Sequence, residues 1–218
     1  MFSLESTTVE LYRAFHILNA AKFHNELPTP IITISPGKKE VYGHFTPWLS
    51  WVEVDREENQ SDDSFYEINL NPATWNDRTP CEIIGTLLHE MVHLYNHVND
   101  IKDCSNNRHN KKFKAAAESV GFIVEQSKKY GWGHTKLSDS LKKYIEENVD
   151  PVPEAFEFYR VDPKEQTKEK KPRKKLQFKY TCPLCGLEIK GKKGITVLCG
   201  CSDSIMEMED EDDDDDLD

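Results

Sequence analysis

Apolar residues recur every three or four positions along several stretches of the chain, which is the spacing of an amphipathic helix. The first stretch opens with a capping box at Thr7-x-x-Glu10. A second opens where Thr79 precedes Pro80 and Glu82 occupies the third helical position, a pattern that predicts a helix start. We therefore predict helices after residue 7, near 80–98, near 110–120 and over 137–147.

Short β-branched and aromatic runs, bounded by turn residues, separate the first helix from the second. The last two runs show the alternation of apolar and polar positions that is typical of a half-buried strand. Several strands after one helix, followed by further helices, indicate an α+β fold. The predicted strands are Ile31 to Ile34, Val41 to Phe45, Trp51 to Val54 and Phe65 to Leu70.

The helix near 80–98 carries an H-E-x-x-H motif, His89-Glu90-Met91-Val92-His93. Two histidines four positions apart lie on one helix face, about 6 Å apart along the axis, so both rings can reach one metal ion. Glu90 follows the first ligand, where its carboxylate can act as the general base that activates water for hydrolysis. The plain alternative is a buried helix whose histidines only fill space, but an unpaired buried Glu90 would then be costly.

A catalytic zinc ion usually has three protein ligands, so a third ligand is needed outside this pair. His97 continues the same helix face but lies about 12 Å from His89 along the axis, which is too far for a shared ion. His109 follows a polar, turn-rich stretch near the start of the next helix, where a return path can point it toward the metal. The other candidates are His134, Asp103 and Cys104.

Four of the six cysteines lie close together in the sequence, which favours a metal site over disulfides. Cys182-x-x-Cys185 is typical of a zinc knuckle, in which two thiolates bind one ion from a tight turn. Cys199-Gly200-Cys201 has one intervening residue instead of two, and Gly200 can relieve the tighter turn. We predict a structural zinc site with the ligands Cys182, Cys185, Cys199 and Cys201, and keep a redox-active pair as the alternative.

The H-E-M-V-H motif is followed by Asn99-x-x-x-Asp103 and by Arg108-His109-Asn110-Lys111-Lys112-Phe113. Together these segments resemble the SprT-like metalloprotease family, which includes the Spartan proteases. Over about residues 5–203, the resemblance implies a zincin-like fold, His109 as the third zinc ligand and a zinc peptidase, which in the Spartan branch cuts proteins crosslinked to DNA. Further similar segments are Tyr42-Gly43-His44-Phe45, Ile68-Asn69-Leu70-Asn71-Pro72 and, for the zinc ribbon that often follows the domain, Cys182-Pro183-x-Cys185-Gly186.

Charge is divided unevenly along the chain. Residues 1–159 have a net charge of −8, residues 160–205 a net charge of +7 and residues 206–218 a net charge of −10. The lysine-rich part is typical of a nucleic-acid footprint made through phosphate contacts, or it is a solvated linker that keeps two modules apart. The acidic tail cannot form a core, so we expect it either to aid solubility or to mimic a nucleic acid and cover the basic module.

These features predict a zincin-like metallopeptidase domain over 1–159, a basic linker over 160–176, a zinc ribbon over 177–205 and a disordered acidic tail over 206–218. The sequence does not begin with a basic segment followed by an apolar run, and no apolar run approaches the length of a membrane-spanning helix. We therefore expect a cytoplasmic protein that does not contact a membrane.

The combined patterns predict a zinc metalloprotease with one catalytic and one structural zinc ion. His89, His93 and His109 would hold the catalytic ion and Glu90 would act as the base, while Tyr130 or His134 would stabilise the oxyanion. The resemblance to zincins implies that a strand near 65–70 lines the cleft and pairs with an extended protein substrate. The basic linker and ribbon are expected to bind DNA. The alternatives are a zinc hydrolase acting on a non-peptide bond, and a DNA- or protein-binding regulator that is rarely or never proteolytic. Protein cleavage assayed with and without single-stranded DNA separates these classes.

Overall fold

The computed structural model describes residues 4–38, 40–53, 63–106, 108–160, 178–201 and 203–208. The chain divides into two units, Met1–Pro163 and Lys164–Asp218. Most of the predicted basic linker (161–176) and the last ten residues of the predicted acidic tail (209–218) lie outside the described residues.

Two long helices, α1 (Leu4–Phe23) and α2 (Pro80–Val98), pack together in the first unit. The capping box of α2 forms as predicted, because Thr79 Oγ1 accepts a hydrogen bond from Glu82 N at 3.3 Å and Glu82 Oε2 accepts one from Thr79 N at 2.8 Å. Within the described part of the chain, no helix is long and apolar enough to cross a membrane. Fully buried side chains of the two helices include Leu11, Phe15, Leu18, Ile83, Ile84, Leu87, Leu88 and Met91.

A three-stranded sheet lies against α2. It contains β1 (Ile31–Ile34), β2 (Gly43–Val52) and β3 (Ser64–Leu70) in the order β1-β3-β2, with β1 parallel and β2 antiparallel to β3. The prediction that a strand near 65–70 pairs with substrate is therefore wrong, because both hydrogen-bonding edges of β3 are already occupied. Among the described strands, β2 is the one that lies beside α2 at the edge of this sheet.

The two strands predicted at 41–45 and 51–54 contribute to a single element, β2. Pairing with β3 covers Gly43 to Thr46 and resumes at Trp51 after an irregularity. Pro47 lies in the irregular section, which fits its lack of a backbone N–H for the strand ladder. The break in the apolar pattern thus marks an irregularity within one strand rather than a turn between two strands.

The chain after α2 forms a second sheet in the first unit. Its order is β4-β5-β7-β6, and it consists of β4 (Cys104–Ser105), β5 (Arg108–His109), β6 (Phe122–Ser127) and β7 (Gly131–Leu137). Helix α3 (Lys111–Val120) connects β5 to β6 and packs against both β6 and β7. The sequence pattern does not predict the β6–β7 hairpin, because glycines and half-exposed polar residues in β7 weaken its alternation.

The predicted helix over 137–147 starts slightly later than expected. Ser138 Oγ accepts a hydrogen bond from Leu141 N at 3.2 Å and caps α4 (Asp139–Tyr144). A π-helical turn, Ile145–Val149, continues α4. Leu141, Ile145 and Val149 are buried in the core of the first unit, so this segment closes the domain by apolar packing.

The second unit is built from short strands around four buried side chains. β8 (Phe178–Thr181), β9 (Glu188–Gly191) and β12 (Glu207–Met208) form a sheet in the order β12-β8-β9. The remaining pair consists of β10 (Leu198–Cys199) and β11 (Ser204–Ile205). The buried side chains are Tyr180, Cys182, Cys199 and Met206.

Residues 206–208 belong to this unit, which corrects the predicted start of the acidic tail at 206. Met206 is buried beside the cysteines, and its N–H donates a hydrogen bond to Val197 O at 2.8 Å. Glu207 and Met208 pair with Thr181 and Tyr180. The second unit extends beyond residue 205 because Met206 supplies apolar surface that a small core needs.

Candidate metal centre

Three histidines from two elements converge in the first unit. His89 and His93 lie one turn apart on α2, and His109 lies on β5. The Nε2 atoms of His93 and His109 are 3.0 Å apart, and one ligand nitrogen from each of the three rings lies within 4.8 Å of the others. The structure thus brings together the three histidines that the motif and the family resemblance select.

His109 reaches the helix because the chain folds back along β7. The His109 N–H donates a hydrogen bond to Tyr130 O at 3.0 Å, and Asn110 N–H donates one to Asp103 O at 2.8 Å. Gly131 pairs with His109 and has a φ of +64°, and a Cβ atom at this position would lie 2.3 Å from His109 O. The close approach of the two backbones therefore requires glycine at position 131.

Each histidine has a separate hydrogen-bond partner at Nδ1. His89 Nδ1 lies 2.9 Å from Thr135 Oγ1, His93 Nδ1 lies 2.6 Å from Asp103 Oδ2, and His109 Nδ1 lies 3.3 Å from Tyr130 O. Such partners fix the ring orientation and leave Nε2 free to bind a metal. Single-sequence reasoning misses Thr135 and the Tyr130 carbonyl group, because no local motif connects them to residues up to 46 positions away.

Phe113 supports all three imidazole rings from one side. Its ring centroid lies 4.8 Å from that of His89, 4.6 Å from that of His93 and 4.4 Å from that of His109. Gly133 leaves the space that the third ring needs, because a Cβ atom there would lie 2.3 Å from His109 Nδ1. A buried aromatic face and a glycine thus hold the rings in place without competing for their nitrogens.

The donor set fits a zinc ion. With Zn–N bonds of about 2.0–2.1 Å, two nitrogens of a tetrahedral site lie about 3.3 Å apart, close to the 3.0 Å between His93 and His109. Zinc binds neutral imidazole, and burial and the neighbouring histidines hold the pKa of His89 well below its ordinary value. Burial, followed by His93, lowers the pKa of His109 to about 4. The three rings are therefore suited to hold one ion and leave a coordination position open.

Glu90 presents a buried carboxyl group beside these rings and is only 5 % exposed. Burial raises the pKa of Glu90 to about 7, while His93 and the donating N–H of Phe45 act in the opposite direction. A carboxyl group with a pKa near neutrality can both accept and return a proton during a reaction. Because Phe45 belongs to β2, the edge strand passes directly beside this group.

A family model for the SprT-like family matches residues 11–131. The match spans more than half of the chain and contains His89, Glu90, His93 and His109. The chain belongs to the SprT-like family. No curated protein and no solved structure matches it. The cysteine-containing unit lies outside the matched residues, so the family match does not extend to the predicted zinc ribbon.

The SprT-like domain has an open cleft that the three histidines and the buried Glu90 line. The edge strand β2 contributes one side, and the β6–β7 turn and β7 contribute another. Residues that line it beside the histidines include Tyr42, Gly43, His44, Phe45, Arg78, Thr86, Tyr130, His134 and Thr135.

Asp103 and Cys104, two alternative candidates for the third ligand, lie beside His93. Asp103 Oδ2 also accepts a hydrogen bond from Asn96 Nδ2 at 3.1 Å, so this carboxylate orients the ring of His93. His93, Asp103 and Cys104 form a second group of possible metal donors, but Asp103 approaches the Nδ1 side of His93. Burial and the Asp103 carboxylate raise the pKa of Cys104 to about 12, which favours the protonated thiol.

His97 and Tyr130 contact other side chains, and His134 is exposed. His97 packs against Phe45 and Tyr66, with ring centroids 5.5 Å and 5.3 Å away. The Tyr130 hydroxyl donates a hydrogen bond to Glu40 Oε2 at 3.1 Å, and His134 is exposed on β7. The oxyanion role of Tyr130 or His134 stays a prediction.

The four clustered cysteines of the second unit converge as a separate possible metal site. Their sulfur atoms lie within 4.8 Å of one another, with Cys182 Sγ 3.7 Å from Cys201 Sγ and Cys185 Sγ 3.5 Å from Cys199 Sγ. With Zn–S bonds of about 2.3 Å, tetrahedral sulfurs lie about 3.8 Å apart, so these distances fit a zinc ion. A hydrogen bond from the Ser204 hydroxyl helps lower the pKa of Cys182 to about 6, which favours the thiolate that binds metal.

We predict that His109→Ala removes about one zinc ion per chain, because two imidazoles alone hold a catalytic zinc weakly. His97→Ala should leave the zinc content unchanged, since this ring packs against Phe45 and Tyr66 instead. Elemental analysis of both dialysed variants and of the wild-type protein provides the measurement. Full zinc retention in His109→Ala would exclude His109 as a ligand.

We predict that a double Cys182→Ser, Cys185→Ser variant loses a different zinc ion and keeps the one held by histidines. The control is Cys81→Ser, which changes a cysteine outside the donor groups and should keep both ions. Zinc content and thiol titration distinguish the two variants. A wild-type content of only one zinc per chain would contradict the four-cysteine site.

Proposed function

We propose that this SprT-like protein is a zinc-dependent metalloprotease that hydrolyses peptide bonds. The observation that supports this proposal most strongly is the set of three histidines, each with Nδ1 already bonded, beside the buried carboxyl group of Glu90 in an open cleft. A purely structural metal site usually has four protein ligands, whereas three histidines leave one position for water or substrate.

When bound, a zinc ion would polarise the substrate carbonyl and lower the pKa of water. Glu90 would accept a proton from the attacking water while the new C–O bond forms. It would then deliver a proton to the amide nitrogen as the C–N bond breaks. The raised pKa of Glu90 and its position next to His89 are consistent with both transfers.

We infer that the substrate backbone lies along β2 rather than along β3. β2 is at the sheet edge in the described structure, and its residues Gly43 to Phe45 line the cleft beside Glu90. An extended peptide can add to such an edge through main-chain hydrogen bonds, which require no particular side chains. This mode of binding suits a protease that acts on extended protein segments.

We predict that Glu90→Gln keeps the histidine-bound zinc but lowers the rate of peptide hydrolysis by about 10²–10⁴-fold, because glutamine cannot act as a base at neutral pH. The matched control is Glu118→Gln, an equally conservative change of an exposed residue on α3. Cleavage of an unfolded protein substrate, together with zinc analysis, provides the readout. Undiminished turnover by zinc-loaded Glu90→Gln would refute this role.

We further propose that the basic segment over 160–205 recruits DNA, which would direct the protease to DNA-associated proteins. Support comes from its net charge of +7, in contrast to −8 for residues 1–159. Lys190, Lys192 and Lys193 lie in the described cysteine unit, whereas Lys170, Lys171, Arg173, Lys174 and Lys175 lie outside the described residues. Contacts of this kind would be made mainly to phosphates and would be independent of sequence.

We predict that replacing all five basic residues of the 170–175 segment by glutamine weakens binding to all DNA sequences alike. These residues are Lys170, Lys171, Arg173, Lys174 and Lys175. The log–log dependence of affinity on salt should become shallower by about 0.7–0.9 for each phosphate that the protein no longer neutralises. A charge-matched control replaces exposed lysines of the first unit, namely Lys111, Lys112, Lys128, Lys142 and Lys143. An equal fall of affinity in the control would assign DNA binding to the SprT-like domain instead.

A further inference from the structure

Arg78 lies in the same cleft as the metal centre, immediately before the first helical turn of α2. Its Nη2 group donates hydrogen bonds to Thr86 Oγ1, at 2.7 Å, and to the main-chain carbonyl of Glu82. The ring of Tyr42 lies 4.3 Å from the centre of the guanidinium group and covers one of its faces. These contacts hold the Arg78 cation at a defined point of the cleft wall.

Among the described residues, no carboxylate forms a direct ion pair with Arg78: Glu82 acts on it only at longer range, and burial outweighs that attraction and lowers the pKa of Arg78. Both acceptors of Nη2 are uncharged, and Nη1 is buried without a hydrogen-bond partner. The carboxylate of Glu82 instead accepts hydrogen bonds from Thr79 N and Thr79 Oγ1, at 2.8 and 3.0 Å. Arg78 as a whole is half-buried, but buried donor groups in proteins normally have a hydrogen-bond partner, so the unpaired Nη1 group indicates a missing acceptor.

The position of Arg78 relative to Glu90 indicates which part of a substrate could supply an anionic partner for Arg78. Its hydrogen-bond acceptor Thr86 precedes Glu90 by four residues on α2, which corresponds to about 6 Å along the helix axis. An extended peptide advances by about 3.3 Å per residue. The guanidinium therefore lies at a distance suited to a substrate group about one or two residues from the bond that Glu90 would help to cleave.

We propose that Arg78 forms a subsite for a carboxylate of the substrate, on one side of the scissile bond. This proposal rests on the proposed peptidase function. A carboxylate matches the planar guanidinium by paired, charge-assisted hydrogen bonds. The carboxylate comes either from an aspartate or glutamate side chain or from the free C-terminus of the substrate. A polyanion is disfavoured, since residues 1–159 have a net charge of −8.

Tyr42 serves as the cover of this subsite. Its side chain stacks on Arg78 but is 53 % exposed, so it can move aside at small cost when a ligand binds. In this arrangement the guanidinium is held away from water until a substrate carboxylate replaces the contact with the ring. Electrostatic attraction is stronger in such a partly desolvated position than on an open surface.

The test uses full-length, zinc-loaded protein carrying Glu90→Gln, so that binding is measured without cleavage. The probes are fluorescein-labelled peptides of one uncharged host sequence, with a single glutamate or glutamine scanned along the chain. Each peptide is made with a free and with an amidated C-terminus, which separates the two sources of carboxylate. We expect a carboxylate at the preferred position to tighten binding by about 10- to 100-fold, as for a charge-assisted hydrogen bond.

Adding Arg78→Met should abolish this preference, and the charge-matched Lys102→Met, another cleft-lining cation, should retain it. If Arg78→Met loses its zinc or its helical circular dichroism, Arg78→Lys replaces it and should weaken the preference, because lysine cannot form the paired contact. A structural role of Arg78 predicts a different result, namely equal weakening for glutamate and glutamine peptides. Equal affinity of both peptides, a preference that survives in the Arg78 variants, or no binding by any peptide would overturn the proposal.

The peptidase function is tested separately with wild-type protein and the same peptides. Failure to cleave any peptide, combined with a carboxylate preference that depends on Arg78, would reject the peptidase activity and leave a carboxylate-binding cleft. Cleavage without a carboxylate preference would support the peptidase and reject the subsite. Cleavage with the bond located one or two residues from the glutamate, by mass spectrometry, supports both.

Discussion

The candidate metal centre depends on one constraint: three imidazole rings must stay neutral and direct one nitrogen each toward a common point. Helix geometry satisfies this constraint for His89 and His93, because residues four apart lie on one face of α2. The helix itself is held by burial of its apolar residues and by its capping box. Small movements of α2 would therefore separate His89 from His93, and the tight packing of α2 fits its role as the element that carries two of the three candidate ligands and Glu90.

The remaining parts of the centre come from elements that local sequence does not bring together. Asp103, Thr135 and the Tyr130 carbonyl group each hold one Nδ1 atom, and Phe113 supports all three rings. Binding of a metal ion would thus stabilise contacts among α2, β5, β7 and α3 at once. Because a bound metal stabilises only the folded arrangement, the zinc affinity and the stability of the domain should be linked.

The cleft contains a buried carboxyl group on α2 and a half-buried cation just before α2. Glu90 is held in a desolvated position that raises its pKa, while Arg78, which has no direct ion pair, donates a hydrogen bond to Thr86 one helical turn before Glu90. Neither arrangement favours stability, since removing a charged group from water costs free energy. Such local costs are commonly found where a protein binds or transforms a ligand. An extended substrate in this cleft would therefore meet a carboxyl group at one point and a cation at another.

The sequence by itself determined the elements whose signals are local. The bounds of α2 follow from its capping box and apolar spacing, and β1 follows from its β-branched run. A five-residue motif predicts the pair of histidines on one helix face. His109 required the family resemblance, because spacing alone left Asp103, Cys104 and His134 open. Tertiary structure decided which side chains meet across long separations, such as His89 with Thr135 and Arg78 with Tyr42. It also decided that β2 and not β3 is the edge strand, since strand order depends on pairing between distant segments and leaves no mark in either strand alone.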